Sequence, residues 1–156
     1  MSRIQLALNV ADLDQAVVFY AKLFGTEPAK VRPGYANFAV SDPPLKLVLI
    51  EDTNQPSGTI NHLGVEVAST GEVIAERDRL SAEGVATEFE GETSCCYALQ
   101  DKVWTNGPGG EPWEIYTVLA DLETSDGQPR SATREESRCC ASPGSVGSAQ
   151  GGSRCC

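Results

Sequence analysis

The feature that most constrains the fold of this chain is an internal repeat with an offset of 57 residues. Residues 5–10 alternate apolar and polar side chains with the period of a β-strand, and residues 62–67 alternate in the same phase. Each segment leads into a stretch in which apolar residues recur at helical spacing. Each predicted helix begins with a capping pair: Asp12 with Gln15, and Ser69 with Glu72.

Short apolar segments follow both predicted helices, which end at Gly25 and Gly84. In the first copy the predicted strands cover residues 27–31, 35–40 and 45–50. In the second copy they cover residues 85–89, 97–99, 103–105 and 113–118. The sequence therefore predicts an α+β domain over residues 1–119, built from two βαβββ modules at about residues 3–52 and 58–119.

Composition excludes several classes of partner. Lysine and arginine number 12 against 22 aspartate and glutamate residues, which gives a net charge of −10. This charge disfavours binding to nucleic acid and to anionic membranes. We expect a cytoplasmic protein, because the N-terminus lacks the basic and apolar regions of a signal peptide and no apolar run approaches the length of a membrane span.

All six cysteines occur as three adjacent pairs. Neighbouring Cα atoms lie about 3.8 Å apart, closer than an ordinary disulfide requires, so reduced thiols that bind soft ligands are favoured. Side chains of adjacent strand residues point to opposite faces. Cys95 and Cys96 can therefore bind one ligand atom only from a loop or bulge, and the polar residues 91–94 before them predict such a loop.

The C-terminal segment, residues 120–156, is rich in Ser, Gly, Gln and charged residues and contains no aromatic residue. It cannot offset its ordering entropy by burial, so we expect disorder. Two of the cysteine pairs lie there, Cys139 with Cys140 and Cys155 with Cys156. Their role stays open between binding or passing on a soft ligand and adventitious thiol binding.

Paired βαβββ modules that close around a shared cavity resemble the vicinal oxygen chelate superfamily. The resemblance covers roughly residues 3–118 and implies metal ligands at Gln5, His62 and Glu114. These side chains form a variant of a facial triad, with glutamine in place of a histidine, since His62 is the single histidine of the chain. Near the corresponding place the first module offers Lys46 and Leu47, neither of which is a suitable ligand, so one metal site is expected.

The segments Ser94-Cys95-Cys96-Tyr97 and 100–104, together with residues 30–38, resemble the carbon-arsenic lyases and cadmium-induced proteins of this superfamily. This resemblance implies capture of a trivalent organoarsenical by Cys95 and Cys96. It also implies that a single Fe(II) on the triad activates dioxygen, so that the carbon-arsenic bond is cleaved and arsenite is released.

Alternatives remain at this point. The main one is a binding protein without turnover, either a thiol-based protein that sequesters cadmium or arsenite or a drug-binding member of the same fold. A glyoxalase-type isomerase or a ring-cleaving dioxygenase is less favoured, because the cysteine pair has no evident role in either. The sequence does not decide between methyl and aromatic arsenicals, between monomer and homodimer, or between iron and another divalent metal.

Overall fold

The computed structural model describes residues 2–123, which form one eight-stranded sheet and two helices. The first half contains β1 (Arg3–Val10), α1 (Leu13–Phe24), β2 (Lys30–Arg32), β3 (Tyr35–Val40) and β4 (Leu45–Glu51). The second half contains β5 (Ile60–Glu66), α2 (Thr70–Ala82), β6 (Glu88–Cys95), β7 (Ala98–Asn106) and β8 (Pro112–Asp121). The predicted order βαβββ is confirmed in both halves.

The two modules join through their first strands. The sheet order is β2-β3-β4-β1-β5-β8-β7-β6, so β1 and β5 occupy the centre and pair antiparallel. Within each module the first strand pairs in parallel with the last one, β1 with β4 and β5 with β8. The result is the curved mixed sheet that the repeat predicts, with the two copies related across the β1–β5 pair.

Packing against α1 decides which face of the first module is apolar. Leu47, Leu49 and Phe38 form a core cluster with Leu13, and Tyr20 and Phe24 of the same helix pack against it. Because side chains alternate along a strand, the neighbouring residues of β1, β3 and β4 point to the opposite, inner face of the sheet. Polar side chains are therefore collected on that inner face.

Both predicted helix starts are confirmed. The Asp12 carboxylate accepts a hydrogen bond from the backbone N–H of Gln15 at 2.9 Å, and the Ser69 hydroxyl accepts one from Glu72 at 3.3 Å. Gly25 ends α1 in the left-handed conformation, with φ of 62°, which glycine adopts without steric cost. Within residues 2–123, neither helix has the length and apolar character needed to cross a membrane.

The structure changes the boundaries of four strands. The predicted strands at 97–99 and 103–105 merge into one continuous strand, β7, which begins at Ala98, and residues 91–94 belong to β6. β2 covers residues 30–32, later than the predicted 27–31. β8 runs to Asp121, two residues past the predicted end of the domain. The disorder predicted for the tail, and its four cysteines, lie outside the described residues.

Candidate metal and dithiol site

Three strands bring Gln5, His62 and Glu114 together on the inner face of the sheet. Gln5 lies on β1, His62 on β5 and Glu114 on β8, and each side chain is only 3% exposed. β1 and β5 are paired in the sheet, and so are β5 and β8. Side chains 52 to 109 residues apart in sequence thereby meet at one point.

The side-chain atoms that meet here have the spacing of a facial metal site. The Gln5 amide nitrogen lies 2.6 Å from Oε1 of Glu114 and 3.0 Å from Nε2 of His62, and these two atoms are 3.3 Å apart. Adjacent ligands of an octahedral ion with bonds of about 2.1 Å are separated by about 3 Å. The three side chains therefore fit a small divalent metal once a half-turn of the Gln5 amide puts its oxygen in place of the nitrogen.

Within residues 2–123, no three side chains taken from His, Cys, Asp and Glu alone are grouped so that they could hold a metal. The candidate centre therefore depends on the Gln5 amide as its third donor. One imidazole, one carboxylate and one amide oxygen suit borderline or hard divalent metals such as iron and manganese. This donor set leaves the remaining coordination positions to other ligands.

A chain of hydrogen bonds fixes the tautomer of His62. The hydroxyl of Thr59 donates to the carbonyl of Pro56, so it accepts from the Asn9 amide nitrogen at 3.0 Å. The Asn9 oxygen then accepts from Asn61 at 2.8 Å, and the Asn61 oxygen lies 2.7 Å from Nδ1 of His62. In the neutral imidazole the proton is therefore on Nδ1, and the lone pair of Nε2 is directed at Gln5 and Glu114.

The Tyr116 hydroxyl lies between the Gln5 amide and the Glu66 carboxylate. It is 2.5 Å from Oε1 of Gln5 and 2.9 Å from Oε2 of Glu66. A tyrosine hydroxyl has one proton, and an ionised Glu66 can only accept it. When the hydroxyl donates to Glu66, it can accept from the nitrogen of a Gln5 amide rotated by a half-turn. That rotation would direct the amide oxygen, in place of the nitrogen seen here, towards His62 and Glu114 as a metal ligand requires.

The ionised state of Glu66 supports this assignment. Burial disfavours its charged form, but Lys46, the Tyr116 hydrogen bond and Arg3 outweigh burial and lower the pKa of Glu66. Arg3 forms two hydrogen bonds to the carboxylate, each 3.1 Å long, and Lys46 lies 3.5 Å from it. Glu66 is thus held as an acceptor beside Tyr116.

Lys102 determines how Glu114 presents its carboxylate. The Lys102 ammonium is buried and donates to Oε2 of Glu114 at 3.0 Å, which leaves Oε1 facing Gln5 and His62. Burial opposes ionisation of Glu114, but the charge of Lys102 and the contact with His62 lower its pKa to about 2. Glu114 is therefore a carboxylate near neutral pH, with one oxygen available to a metal.

Cys95 and Cys96 lie at the turn between β6 and β7, with both side chains half-buried and free. Cys96 and Tyr97 adopt left-handed conformations, with φ of 53° and 62°, so the regular alternation of side chains is broken there. The two sulfurs consequently lie on the same side, 3.2 Å apart. The predicted departure from regular strand geometry is found at the turn itself, whereas residues 91–94 form a bulged strand where a loop was predicted.

The thiols lie on the inner face of the sheet, where the charges of Lys102 and Glu114 act on both of them. Cys96 packs against Ala7, Tyr35 and Val48 on the strands of the first module. A hydrogen bond from the Cys96 thiol lowers the pKa of Cys95 to about 7. Burial opposes this shift, and the charge of Lys102 assists it. The same hydrogen bond, together with burial, raises the pKa of Cys96. One thiolate and one thiol are expected near neutral pH.

Tyr97 ties the cysteine turn to the opposite module. Its hydroxyl donates to the carbonyl of Pro33 at 3.0 Å, and its ring packs against that of Tyr35 with centroids 5.7 Å apart. Its backbone oxygen accepts from Leu122 at 2.8 Å and from Lys30 at 3.4 Å. These contacts hold the thiols over the inner face of the sheet.

Sequence reasoning misplaced one position and missed several partners. In the second module, Glu114 of β8 lies opposite Gly64 of β5. The repeat matches Gly64 to Ala7 of β1, and Ala7 lies opposite Val48 of β4. Val48 is therefore the residue that corresponds to Glu114. Lys46 and Leu47, the predicted counterparts, are not at that position. The roles of Asn61 and Tyr116 were missed, since no pattern in the sequence distinguishes them from ordinary strand residues.

Comparisons with known proteins agree with this architecture. The model of the Glyoxalase/Bleomycin resistance protein/Dioxygenase superfamily matches residues 3–115. The chain is 58% identical over 150 residues to the cadmium-induced protein CadI of Mycobacterium tuberculosis, covering 94% of this chain and 98% of that protein. It is 53% identical over 157 residues to the trivalent organoarsenical cleaving enzyme of Thermomonospora curvata, covering 99% of this chain and 100% of that enzyme.

A solved structure shows the same fold at low sequence identity. The Mn(II)-bound glyoxalase from Novosphingobium aromaticivorans is 20% identical and superposes with a TM-score of 0.56, over 81% of this chain and 43% of that one. At this identity the likeness concerns the fold alone. With the family match and the two relatives, it leads to one conclusion: the chain belongs to the Glyoxalase/Bleomycin resistance protein/Dioxygenase superfamily.

Proposed function

We propose that the protein is an Fe(II)- and dioxygen-dependent enzyme that cleaves the carbon-arsenic bond of trivalent organoarsenicals and releases arsenite. The observation that carries the proposal is the pair of free sulfurs 3.2 Å apart, whose charge state depends on the same Lys102 that orients Glu114. The name of the Thermomonospora curvata relative supports the same activity. In this proposal Cys95 and Cys96 bind the substrate, and Gln5, His62 and Glu114 bind the metal.

The sulfur geometry fits one arsenic atom. With sulfur bonds of about 2.3 Å, sulfurs at this spacing enclose an angle of about 90° at a shared atom, close to the pyramidal geometry of trivalent arsenic. A species R-As(OH)₂ has two exchangeable hydroxides, so two thiols can replace them while the carbon substituent stays attached. Arsenic is a soft centre and prefers such sulfur ligands.

The unequal thiols define the order of capture. The Cys95 thiolate attacks arsenic, one arsenic-oxygen bond breaks, and the departing hydroxide takes the proton of the Cys96 thiol and leaves as water. The new Cys96 thiolate then displaces the second hydroxide, which leaves as water with a proton from solvent. Two arsenic-sulfur bonds replace two arsenic-oxygen bonds, and the oxidation state of arsenic does not change.

When bound at the triad, ferrous iron would supply activation of dioxygen, the oxidant that the cleavage requires. The protein's own side chains prepare this centre. Asn61 orients the His62 ring through Nδ1, Tyr116 can accept from the nitrogen of a rotated Gln5 amide, and Lys102 leaves Glu114 one free oxygen. The cysteine turn holds the arsenical over the same inner face, so that substrate and metal share one compartment.

A non-catalytic alternative uses only the sulfurs. Sequestration of cadmium or arsenite needs the dithiol but neither the triad nor oxygen. The name of the cadmium-induced relative CadI, which is 58% identical, supports this alternative. The two functions differ in their dependence on Gln5 and His62, which lie outside the dithiol.

The deciding experiment incubates reduced, iron-loaded protein with methylarsenite and measures arsenic speciation. We expect arsenite to accumulate in air and not under anaerobic conditions, and turnover to be lost in His62→Ala, Gln5→Ala and Cys95→Ser. His62→Ala and Gln5→Ala should still bind methylarsenite, since their thiols are intact. Binding without arsenite release in air by the wild type would favour sequestration and contradict the enzyme.

A further inference from the structure

The last strand of the sheet ends beside the cysteine turn. Asp121, at the end of β8, pairs with Ala98, the residue that begins β7 directly after the turn. The backbone N–H of Leu122 donates to the carbonyl of Tyr97 at 2.8 Å. The Lys30 ammonium donates to the same carbonyl and also forms an ion pair with Asp121. The chain therefore enters its C-terminal segment at the turn that carries the two thiols.

The C-terminal segment carries two further pairs of cysteines. Cys139 and Cys140 lie about 17 residues beyond Leu122, and Cys155 and Cys156 lie about 33 residues beyond it. A segment of about 17 residues can span up to about 60 Å, so the nearer pair can reach back to the turn. A thiol on a short tether has an effective concentration of order mM, which falls roughly as the −3/2 power of tether length. The nearer pair therefore has an advantage of about threefold over the farther one.

The substrate and the product of the proposed reaction differ in how many positions they offer to sulfur. A trivalent organoarsenical keeps one bond to carbon and has two exchangeable positions, which the cysteine turn fills. Arsenite has three exchangeable hydroxides, so a third position opens at arsenic when the carbon has left. A third thiol can therefore join the two turn sulfurs on the product but not on the substrate.

The cysteine turn cannot supply that third sulfur itself. Within residues 2–123, Cys95 and Cys96 are the only cysteines, and both are half-buried, so part of each side chain is open to solvent. Arsenite held by these two sulfurs alone keeps one oxygen ligand. Because arsenic is soft and prefers sulfur to oxygen, a thiol from the C-terminal segment would replace that oxygen.

We infer that a C-terminal cysteine, with Cys139 and Cys140 the better placed pair, completes a three-sulfur site for arsenite together with Cys95 and Cys96. The inference rests on the proposed function in that arsenite is the product of that reaction. An arsenic-sulfur bond forms, the arsenic-oxygen bond breaks, and the hydroxide leaves as water with the proton of the thiol. The oxidation state of arsenic does not change. The other thiol of the same pair then displaces a turn sulfur and gives it its proton, which starts to clear the turn for the next substrate.

The test counts the neighbours of bound arsenic without turnover. Full-length protein, kept reduced and anaerobic, receives less than one equivalent of arsenite or methylarsenite, and X-ray absorption spectroscopy identifies the bound atoms. In the wild type, arsenite should have three sulfur neighbours, and methylarsenite should have two sulfurs and one carbon. The variant with all four C-terminal cysteines replaced combines Cys139→Ser, Cys140→Ser, Cys155→Ser and Cys156→Ser. There arsenite should have two sulfurs and one oxygen, and its affinity should fall roughly tenfold or more.

Methylarsenite is the matched control, because it has no third position for sulfur. Its affinity and its two sulfur neighbours should be unchanged in the four-serine variant, which also shows that the variant is folded. Three sulfurs around arsenite in that variant, or two sulfurs and one oxygen in the wild type, would overturn the inference and leave the proposed function intact. Undiminished arsenite affinity in the double variant Cys95→Ser, Cys96→Ser would also overturn it, since the C-terminal segment would then bind arsenite alone. Undiminished methylarsenite affinity in this double variant would instead contradict the proposed function.

Discussion

Cys95 and Cys96 differ in proton affinity because they share one hydrogen bond. Donation from Cys96 and the charge of Lys102 stabilise the Cys95 thiolate, and its pKa falls to about 7 despite burial. The pKa of Cys96 is raised by the same hydrogen bond and by burial. Since a thiolate is the nucleophile and a thiol is not, the reactivity of the pair is concentrated on Cys95 near neutral pH.

The first prediction concerns the pH dependence of this thiol. As pH falls through about 7, Cys95 gains a proton, so its alkylation by iodoacetamide and its capture of arsenic should slow; as pH rises they should accelerate. Cys96→Ala removes the donor and should move the midpoint to higher pH, whereas Cys96→Ser keeps a donor and should stay near the wild-type value. Fragment-level mass spectrometry separates Cys95 from the other cysteines. Equal midpoints in the two variants would contradict the shared hydrogen bond.

At this scale the sequence predicts ligand-type residues better than it predicts their partners. Gln5 and His62 could be matched because they occupy one position of a repeated strand, and the structure brings both to Glu114. Tyr116 reaches Gln5 across 111 residues, and this contact depends on cross-strand distances that the sequence does not contain. The role of Asn61, next to His62, cannot be predicted from the sequence either, because it depends on the orientation of the Asn61 amide.

At the scale of elements, a bulge in β6 shapes the cysteine hairpin. The pairing of β6 with β7 shifts register between Glu90 and Thr93, and Glu92 adopts a left-handed conformation with φ of 47°. Asp101 of β7 stabilises the bulge, because its carboxylate accepts the backbone N–H of Glu92 at 2.7 Å and the hydroxyl of Thr70 at 2.5 Å. One buried carboxylate thus connects α2, β6 and β7.

Removal of this carboxylate should destabilise the hairpin. Asp101→Ala leaves the N–H of Glu92 and the hydroxyl of Thr70 without their acceptor, and we expect the free energy of unfolding to fall by about 1–3 kcal/mol. Asp101→Asn retains one acceptor oxygen for Glu92 and should lose less. Urea denaturation measures both variants. If alanine and asparagine were equally and only slightly destabilising, the bulge would not depend on this side chain.

The polar residues of β7 explain why the boundaries of this strand were predicted wrongly. Gln100, Asp101 and Lys102 are three consecutive polar residues, a pattern typical of a loop, yet all three are buried. Gln100 and Lys102 face the inner hollow, while Asp101 faces α2 and the bulge, so both sides of β7 contain polar contacts. Hydrophobic periodicity identifies strands with one apolar face, and it fails where the interior itself is polar.

On the scale of the whole molecule, the candidate metal centre lies across the junction of the modules. Gln5 comes from the first module, and His62 and Glu114 come from the second, with β1 and β5 paired between them. The repeat predicted two similar units, but an offset alone does not say which strands join them or in which direction. The antiparallel β1–β5 pair places Gln5 and His62 side by side on one face, which a single module could not do.

A metal bound at this junction should stabilise both modules together. Binding to the folded state alone adds about 2.7 kcal/mol at a free metal concentration of 100 Kd, so Mn(II) should raise the thermal midpoint in a concentration-dependent way. Mn(II) is chosen because hard metals prefer nitrogen and oxygen donors over thiolates, which minimises binding to cysteines. We expect His62→Ala to lose the stabilisation.

Asn61→Ala should need roughly 10–100-fold more metal for the same stabilisation, because His62 then loses the acceptor that fixes its tautomer. The exposed control Asn54→Ala should behave as wild type. Because the triad joins both modules, the wild type should keep a single unfolding transition as it shifts. An equal shift in His62→Ala would place the metal elsewhere, and a shift of only part of the transition would show that the modules unfold independently.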